Sequence, residues 1–185
     1  MDEDDAKTQI LDSAYELLCR MPYQKMSLEM VARDAGISKA LVLYHFGNKR
    51  DLTRAAMRRG FDRTLEEFRF EEELDDDMVR AVLPMLFRFT YDSMYLFVSF
   101  MEVVDMDDRS DDELARSMRE MYDLFIGKLT RFLEAKGDPY PREKATLLAL
   151  AVDTIGMVKV VGMSPIDIDR YVGAVLDILH VGVGA

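Results

Sequence analysis

Apolar residues recur every three or four positions over most of this chain, the period of a helix with one buried face. Ile10, Ala14, Leu17, Leu18 and Met21 form one such stripe, and Pro22 ends it. This predicts a first helix over about 6–21, with Cys19 a small packing residue beside the stripe. Ser27 is a good N-cap, and Leu28, Val31, Ala32 and Ala35 follow at helical spacing. Gly36 suits the left-handed end of that short helix. Ser38 caps a third helix carrying Lys39, Leu41, Val42, Tyr44 and His45, with Phe46 expected to plug the small core beneath. Asn48 then caps a fourth, with Leu52, Ala55, Ala56, Phe61 and Leu65, predicted to continue to about Phe70 as a rigid lever.

The second half is less sharply punctuated. Glu71, Glu72, Glu73, Asp75, Asp76 and Asp77 read as a solvated loop plus the acidic first turn of the next helix. Pro84 kinks that helix or begins it. Arg88 to Met106 reads as one helix rich in Phe, Tyr, Met and Val, with Arg88, Asp92, Ser99 and Glu102 as its polar stripe. Another helix is expected to start after Ser110 and run to about Ala135, ending at Gly137. The last two are predicted over 142–161 and from Ser164-Pro165 onward, with the terminal VGVGA fraying. No run alternates like a strand, so the fold class is all-α, divided into residues 1–50 and 51–185.

Composition narrows the function. Half of the 185 residues are apolar (49%), enough for a sizeable core, and no charge-free stretch is long enough to span a bilayer. No leader pattern is evident, and the single cysteine cannot form an internal disulfide, so a cytoplasmic protein is expected. The net charge of −11 is unevenly spread. Residues 20–60 carry nine basic side chains against Glu29, Asp34 and Asp51, whereas 66–185 hold 13 basic and 25 acidic. A basic head on an acidic body suits one localised contact with phosphates.

Two short helices about a tight glycine turn, on that same basic segment, form the layout that sets a second helix in the DNA major groove. No GxSxG, P-loop, HExxH or Cys cluster occurs, and the only histidines are His45 and His180. An enzyme with an accessory DNA-binding head and a helical scaffold without DNA contact are the alternatives, and no motif favours either. No catalytic residue, metal or cofactor is expected.

The chain reads I-L-D-S-A-Y-E-L-L, then S-L-E-M-V-A-R-D-A-G-I-S-K-A-L-V-L-Y-H-F, G-N, K-R-D-L. Residues 8 to 52 thereby resemble, without a gap, the N-terminal domain of the tetracycline-repressor (TetR) family of bacterial and archaeal regulators. The A-G-I-S turn, the Y-H-F ending and the Lys49–Leu52 spacing coincide. One position departs: Leu43 stands where relatives usually place a tyrosine that touches phosphate, and Tyr44 follows it about 100° round the helix.

The resemblance implies a three-helix DNA-binding domain followed by a helical domain for effector binding and dimerisation. It implies a ligand-responsive regulator, a repressor released from a palindromic double-stranded operator by a small apolar or amphipathic effector. Ser27, Ser38, Lys39, Leu41, Tyr44, His45 and Lys49 form the expected DNA-contacting set. Of Leu41 and Val42, one is expected to meet a thymine methyl and the other to pack inward. The wide apolar faces of the last two helices suit a homodimer, with Ala149 and Gly156 allowing close approach. Nine of the 14 methionines follow residue 77, among many aromatics. Phe97, Phe100, Met101, Tyr122 and Phe125 are the candidate pocket walls, with Glu102 to receive a cation or Arg88 a carboxylate.

Overall fold

The computed structural model describes residues 3–68, 73–104, 112–163 and 166–181, and every regular element among them is helical. In chain order these are α1 (Glu3–Arg20), a 3-10 turn η1 (Tyr23–Lys25), α2 (Leu28–Asp34), α3 (Lys39–Phe46) and α4 (Lys49–Phe68). Then come α5 (Asp76–Asp92), α6 (Met94–Val103), α7 (Glu113–Ala135), α8 (Pro141–Thr154), α9 (Met157–Val160) and α10 (Ile168–Ile178). They divide into two compact units, one of Met1–Glu66 with Tyr95–Glu120, the other of Glu67–Met94 with Met121–Ala185.

In the first unit α1, α2 and α3 pack on one another. Their core is Ile10, Ala14, Leu18, Met26, Val31, Ala32 and Val42, each at most 4% exposed. Phe46, expected to fill this core, is only half-buried, and the fully buried side chain of α3 is Val42. α4 adds Leu52, Ala56, Met57 and Phe61, and Phe61 meets Phe100 of α6 edge-on, ring centres 6.1 Å apart. Gly60 lies under the Tyr15 ring, where an added Cβ would stand 2.1 Å from a ring carbon.

The second unit is built on Val79, Leu83, Phe87, Leu129, Leu133, Leu148, Val152, Val172 and Leu176. Here α5 packs on both α8 and α10. Asp75 caps α5 by accepting the Met78 N–H at 2.8 Å, with Asp76 and Asp77 in the first turn. The described acidic residues also find bases: Glu73 with Arg131, Asp76 with Lys136 and Asp77 with Arg80. α5 runs through Pro84 and stops at Ser93, so the single helix expected over Arg88–Met106 is two. Arg88 and Asp92 therefore share no stripe with Ser99 and Glu102, and Arg88 donates to Asp169 at 2.6 Å.

The helix expected over 142–161 breaks after Thr154, and α9 follows as a separate turn. Ala149 is buried at 4% exposure, and a Cβ on Gly156 would lie 2.6 Å from Met94 Cβ. These small residues serve packing inside the unit, not close approach of two chains. Ser164, Pro165 and residues 182–185 lie outside the described residues, as do Phe70, Ser110 and the acidic Glu71 and Glu72; Val181, expected to fray with the terminus, is instead buried at 1% exposure and donates its N–H to the Leu176 carbonyl at 2.9 Å. α10 opens with Asp167 as its cap. Its end is fixed by Asp138, whose buried carboxylate binds the Tyr140 N–H at 2.9 Å, the Lys144 ammonium and, at 3.1 Å, Nε2 of His180. The Lys144 bond, then the Tyr140 N–H, hold the Asp138 carboxyl below the usual range.

Candidate nucleic-acid interface

Local chemistry alone sets the frame of α2 and α3. The Ser27 hydroxyl accepts the Met30 N–H at 3.2 Å, and the Ser38 hydroxyl accepts the Leu41 N–H at 3.2 Å. Each cap satisfies a helix-end donor and contributes ~1 kcal/mol. Between them Ala35-Gly36-Ile37 makes a Schellman turn: Ile37 N–H binds the Ala32 carbonyl at 2.9 Å and Gly36 N–H binds that of Arg33 at 3.3 Å. Gly36 sits at φ +67°, where a side chain would be strained. α3 ends at Gly47, φ +69°, and Asn48 and Asp51 then cap α4 reciprocally, at 2.9 and 2.7 Å.

With Val42 turned inward, the open face of α3 is fixed. Ser38, Lys39, Ala40, Leu43 and Tyr44 are exposed, Tyr44 at 74%. Leu41 and His45 lie half-buried at its flanks. The apolar side chain on the open face is thus Leu43, at 39% exposure, rather than Leu41. Leu43 and Tyr44 are both exposed, about 100° apart round the helix.

The charged members are held by neighbours. Lys39 donates to Glu29 of α2, and this bond keeps the Glu29 carboxyl below its ordinary value. Lys49 places its ammonium 4.1 Å from the centre of the Tyr23 ring. Burial lowers the Lys49 pKa, while the charge of Glu102 acts the other way. His45 stacks edge-on against Tyr44, ring centres 5.2 Å apart, and its Nε2 is buried without a hydrogen-bond partner. In this arrangement Nε2 faces protein, not an incoming phosphate.

The basic surplus of residues 20–60 is largely spent within the first unit. Arg50 and Arg54 donate to the Val103 carbonyl at the end of α6. Arg54 also binds Asp112, Arg58 pairs with Glu113, Arg59 with Asp12 and Arg20 with Glu16. Lys25 and Arg33 remain exposed. Charge counting along the sequence missed this, because the partners lie mostly 47 to 58 residues away. It also missed η1, where Tyr23 seats Lys49 and donates its N–H to Ser99 at 2.8 Å, and Gln24 donates to Glu102 at 3.2 Å. Only Pro22 marked that turn in advance.

The candidate pocket residues do not share one unit. Phe97, Phe100, Met101 and Glu102 belong to the first, Tyr122 and Phe125 to the second. Phe100 is buried against Phe61, Met101 is 47% exposed and Glu102 is engaged with Gln24. Phe97, Tyr122 and Phe125 are half-buried, the last packed on the core of the second unit.

An exposed, serine-capped second helix on an all-helical frame is the layout of a helix-turn-helix DNA-binding domain. Residues 10–56 match the family described as bacterial regulatory proteins, tetR family. The match covers about a quarter of the chain and identifies its N-terminal segment as a TetR-type helix-turn-helix domain. No curated protein matches it by sequence. Among solved structures it is similar to the fatty acid degradation regulator FadR from Bacillus halodurans, with 16% identity, TM-score 0.66, and 94% of this chain and 93% of that one covered. FadR from Bacillus subtilis, solved with stearoyl-CoA, gives 16% identity, TM-score 0.66 and coverage of 96% and 99%. A protein from Saccharomonospora viridis described as a transcriptional regulator, solved with choline, gives 20% identity, TM-score 0.69 and 96% of both chains. These likenesses extend the shared fold over nearly the whole chain. No described helix is long and apolar enough to cross a membrane.

Proposed function

We propose that the chain is a cytoplasmic repressor that binds a palindromic operator as a two-fold dimer and leaves it when a small apolar or amphipathic effector binds. The open face of α3 carries the reading: Lys39, Ala40, Leu43 and Tyr44 stand exposed beside the N-terminus capped by Ser38. Lys39 suits a guanine edge or a phosphate, Leu43 a thymine methyl, and Tyr44 and Lys49 the flanking backbone. Ser27 and Ser38 act first as caps, with Ser38 at the helix N-terminus that favours phosphate. Leu41 and His45 support the recognition surface from its flanks.

Residues 1–50 then read DNA, and 51–185 bind effector and dimerise. Exposed apolar side chains on the last helices support the dimer: Leu147, Leu150, Met157, Val161, Tyr171 and Ile178. Paired about a two-fold axis they leave water, and two α3 helices meet successive major grooves. The ligands held by two structural neighbours support the effector. Tyr122 and Phe125 are the aromatic walls kept from the sequence reading; Phe100 and Glu102 have other partners. The effector shifts DNA affinity only by its unequal affinity for the DNA-bound and free states.

The test is fluorescence anisotropy of the purified protein on DNA from upstream of its own gene. Binding that weakens steeply with salt, at one protein dimer per site, is expected. Salt-insensitive binding, or none to any upstream fragment, overturns the reading.

A further inference from the structure

Lys39 opens α3, at the end of a helix where the backbone dipole disfavours a positive charge. Glu29, in the first turn of α2, takes that charge up, because the Lys39 ammonium donates to its carboxylate. The pair serves the fold little, since both side chains are well exposed, Lys39 at 48% and Glu29 at 62%. Such a departure from helix chemistry, with no gain in stability, is expected at functional positions. Arg54, Arg58 and Arg59, by contrast, bond to groups of α6, α7 and α1 and so tie the first unit together.

The frame around the pair is fixed. α2 and α3 pack on one another, and each begins on a serine cap. The Glu29 carboxyl stays ionised, because the Lys39 bond and then its own backbone amide hold it below the ordinary value. An ionised carboxylate only accepts hydrogen bonds and an ammonium only donates them. Side by side they present acceptor and donors at the N-terminal end of α3, the end that meets base edges in this docking mode. In the major groove a G·C pair carries the complementary pattern: guanine N7 and O6 accept side by side, and the cytosine N4 amino group donates. An A·T pair sets its donor between two single acceptors, so an ammonium finds no adjacent pair there.

We propose that Glu29 and Lys39 together read one G·C base pair in each half-site, Lys39 donating to guanine and Glu29 accepting from the cytosine amino group. This rests on the DNA-binding reading above and names the base pair recognised. Glu29 is the specificity-determining member. Without it Lys39 is a free cation that any phosphate can hold, a contact that carries no sequence information. With it the pair has no net charge, gains little from phosphate, and is rewarded by an edge that offers both acceptors and a donor.

Anisotropy titrations of the full-length protein use an upstream duplex that it binds, the same duplex with each base pair changed symmetrically in both half-sites, and an unrelated duplex of equal length. The parent, Glu29→Ala, Lys39→Ala and the double variant are compared at several salt concentrations, with unchanged melting as the check on fold. The parent should prefer G·C at one position by about tenfold, and each single variant should lose that preference at the same position. On the unrelated duplex Glu29→Ala should bind tighter, with a salt slope steeper by about 0.9, the share of one added phosphate contact. In the Lys39→Ala background, removing Glu29 should change neither base preference nor slope. A Glu29→Ala variant that keeps every base preference, strengthens operator and unrelated DNA by one common factor, or acts alike with and without Lys39 overturns the pair as a reader. A parent that binds no upstream duplex overturns the DNA-binding reading itself, and so is told apart from failure of the pair.

Discussion

The Arg54 guanidinium of α4 joins two helix ends: its Nη1 lies 2.8 Å from the Val103 carbonyl that closes α6 and 2.9 Å from Asp112 Oδ2 at the start of α7. The other oxygen of Asp112 accepts the N–H groups of Leu114 and Ala115 at 2.9 and 3.1 Å. Asp112 is almost wholly buried, its side chain 1% exposed, and that of Arg54 is 26% exposed. One ion pair thereby satisfies a terminal carbonyl, two terminal amides and two charges.

Removing Asp112 strands the guanidinium and uncaps α7. Asp112→Ala should lose about 2–3 kcal/mol, below the ~3–5 typical of a fully buried pair, because Arg54 keeps Val103 and some water. Asp112→Asn retains an acceptor for the cap and should lose less. Urea unfolding of both variants measures the difference, and equal losses would mean that the ion pair contributes nothing beyond the cap.

On α3 the expectation concerns DNA and not stability. Lys39→Ala and Tyr44→Phe should each weaken operator binding by roughly 1–2 kcal/mol, the scale of a hydrogen bond to a charged group, with no change in melting. Leu43→Tyr should strengthen it by restoring a hydroxyl on the open face. Anisotropy titrations at fixed salt decide. If Tyr44→Phe and Leu43→Tyr both bind like the parent, α3 does not present this face to DNA.

Gly60→Ala should cost about 1–3 kcal/mol by overpacking, since the Tyr15 ring cannot bend away like a chain end. Combining it with Tyr15→Leu should recover part of that loss. A double-mutant cycle by thermal unfolding tests the coupling, and strictly additive effects would remove Tyr15 as the cause.

Leu150→Lys places a charge on the exposed face of α8, so it should leave the fold intact and shift a dimer to monomer. Sedimentation at micromolar concentration reads this directly. A dimer that survives both Leu150→Lys and Ile178→Lys would move the interface away from the last helices.

Asp153 gives a pH dependence of known sign. Its carboxyl rises from the ordinary 3.8 to about 6 in the folded chain, because burial disfavours the charge. Between those values the folded state binds more protons than the unfolded one, so stability falls as pH rises. Asp153→Asn should therefore stabilise the free protein at neutral pH by about 2–3 kcal/mol, at 1.36 per pKa unit, and the gain should vanish below about pH 4. Chemical unfolding at several pH values checks it. A gain independent of pH would point to packing instead of charge.

Helix ends were readable where the signal is local. Ser27, Gly36, Ser38 and Asn48 act on donors and acceptors within five residues, so their identities alone placed α2, α3 and the start of α4. The helical class of the whole chain followed from the same periodicity. Tertiary structure decided the rest. It turned Val42 inward and left Leu43 and Tyr44 open, a choice set by the packing of α1, α2 and α3 together. It sent Arg54, Arg58 and Arg59 to carboxylates elsewhere in the chain, divided the apolar run at Ser93, and closed Ala149 and Gly156 into the core. It also buried one carboxylate oxygen of Asp153 without a hydrogen-bond partner. Periodicity reports which residues share a face, but burial and charge pairing depend on what folds against that face, and those partners come from distant sequence.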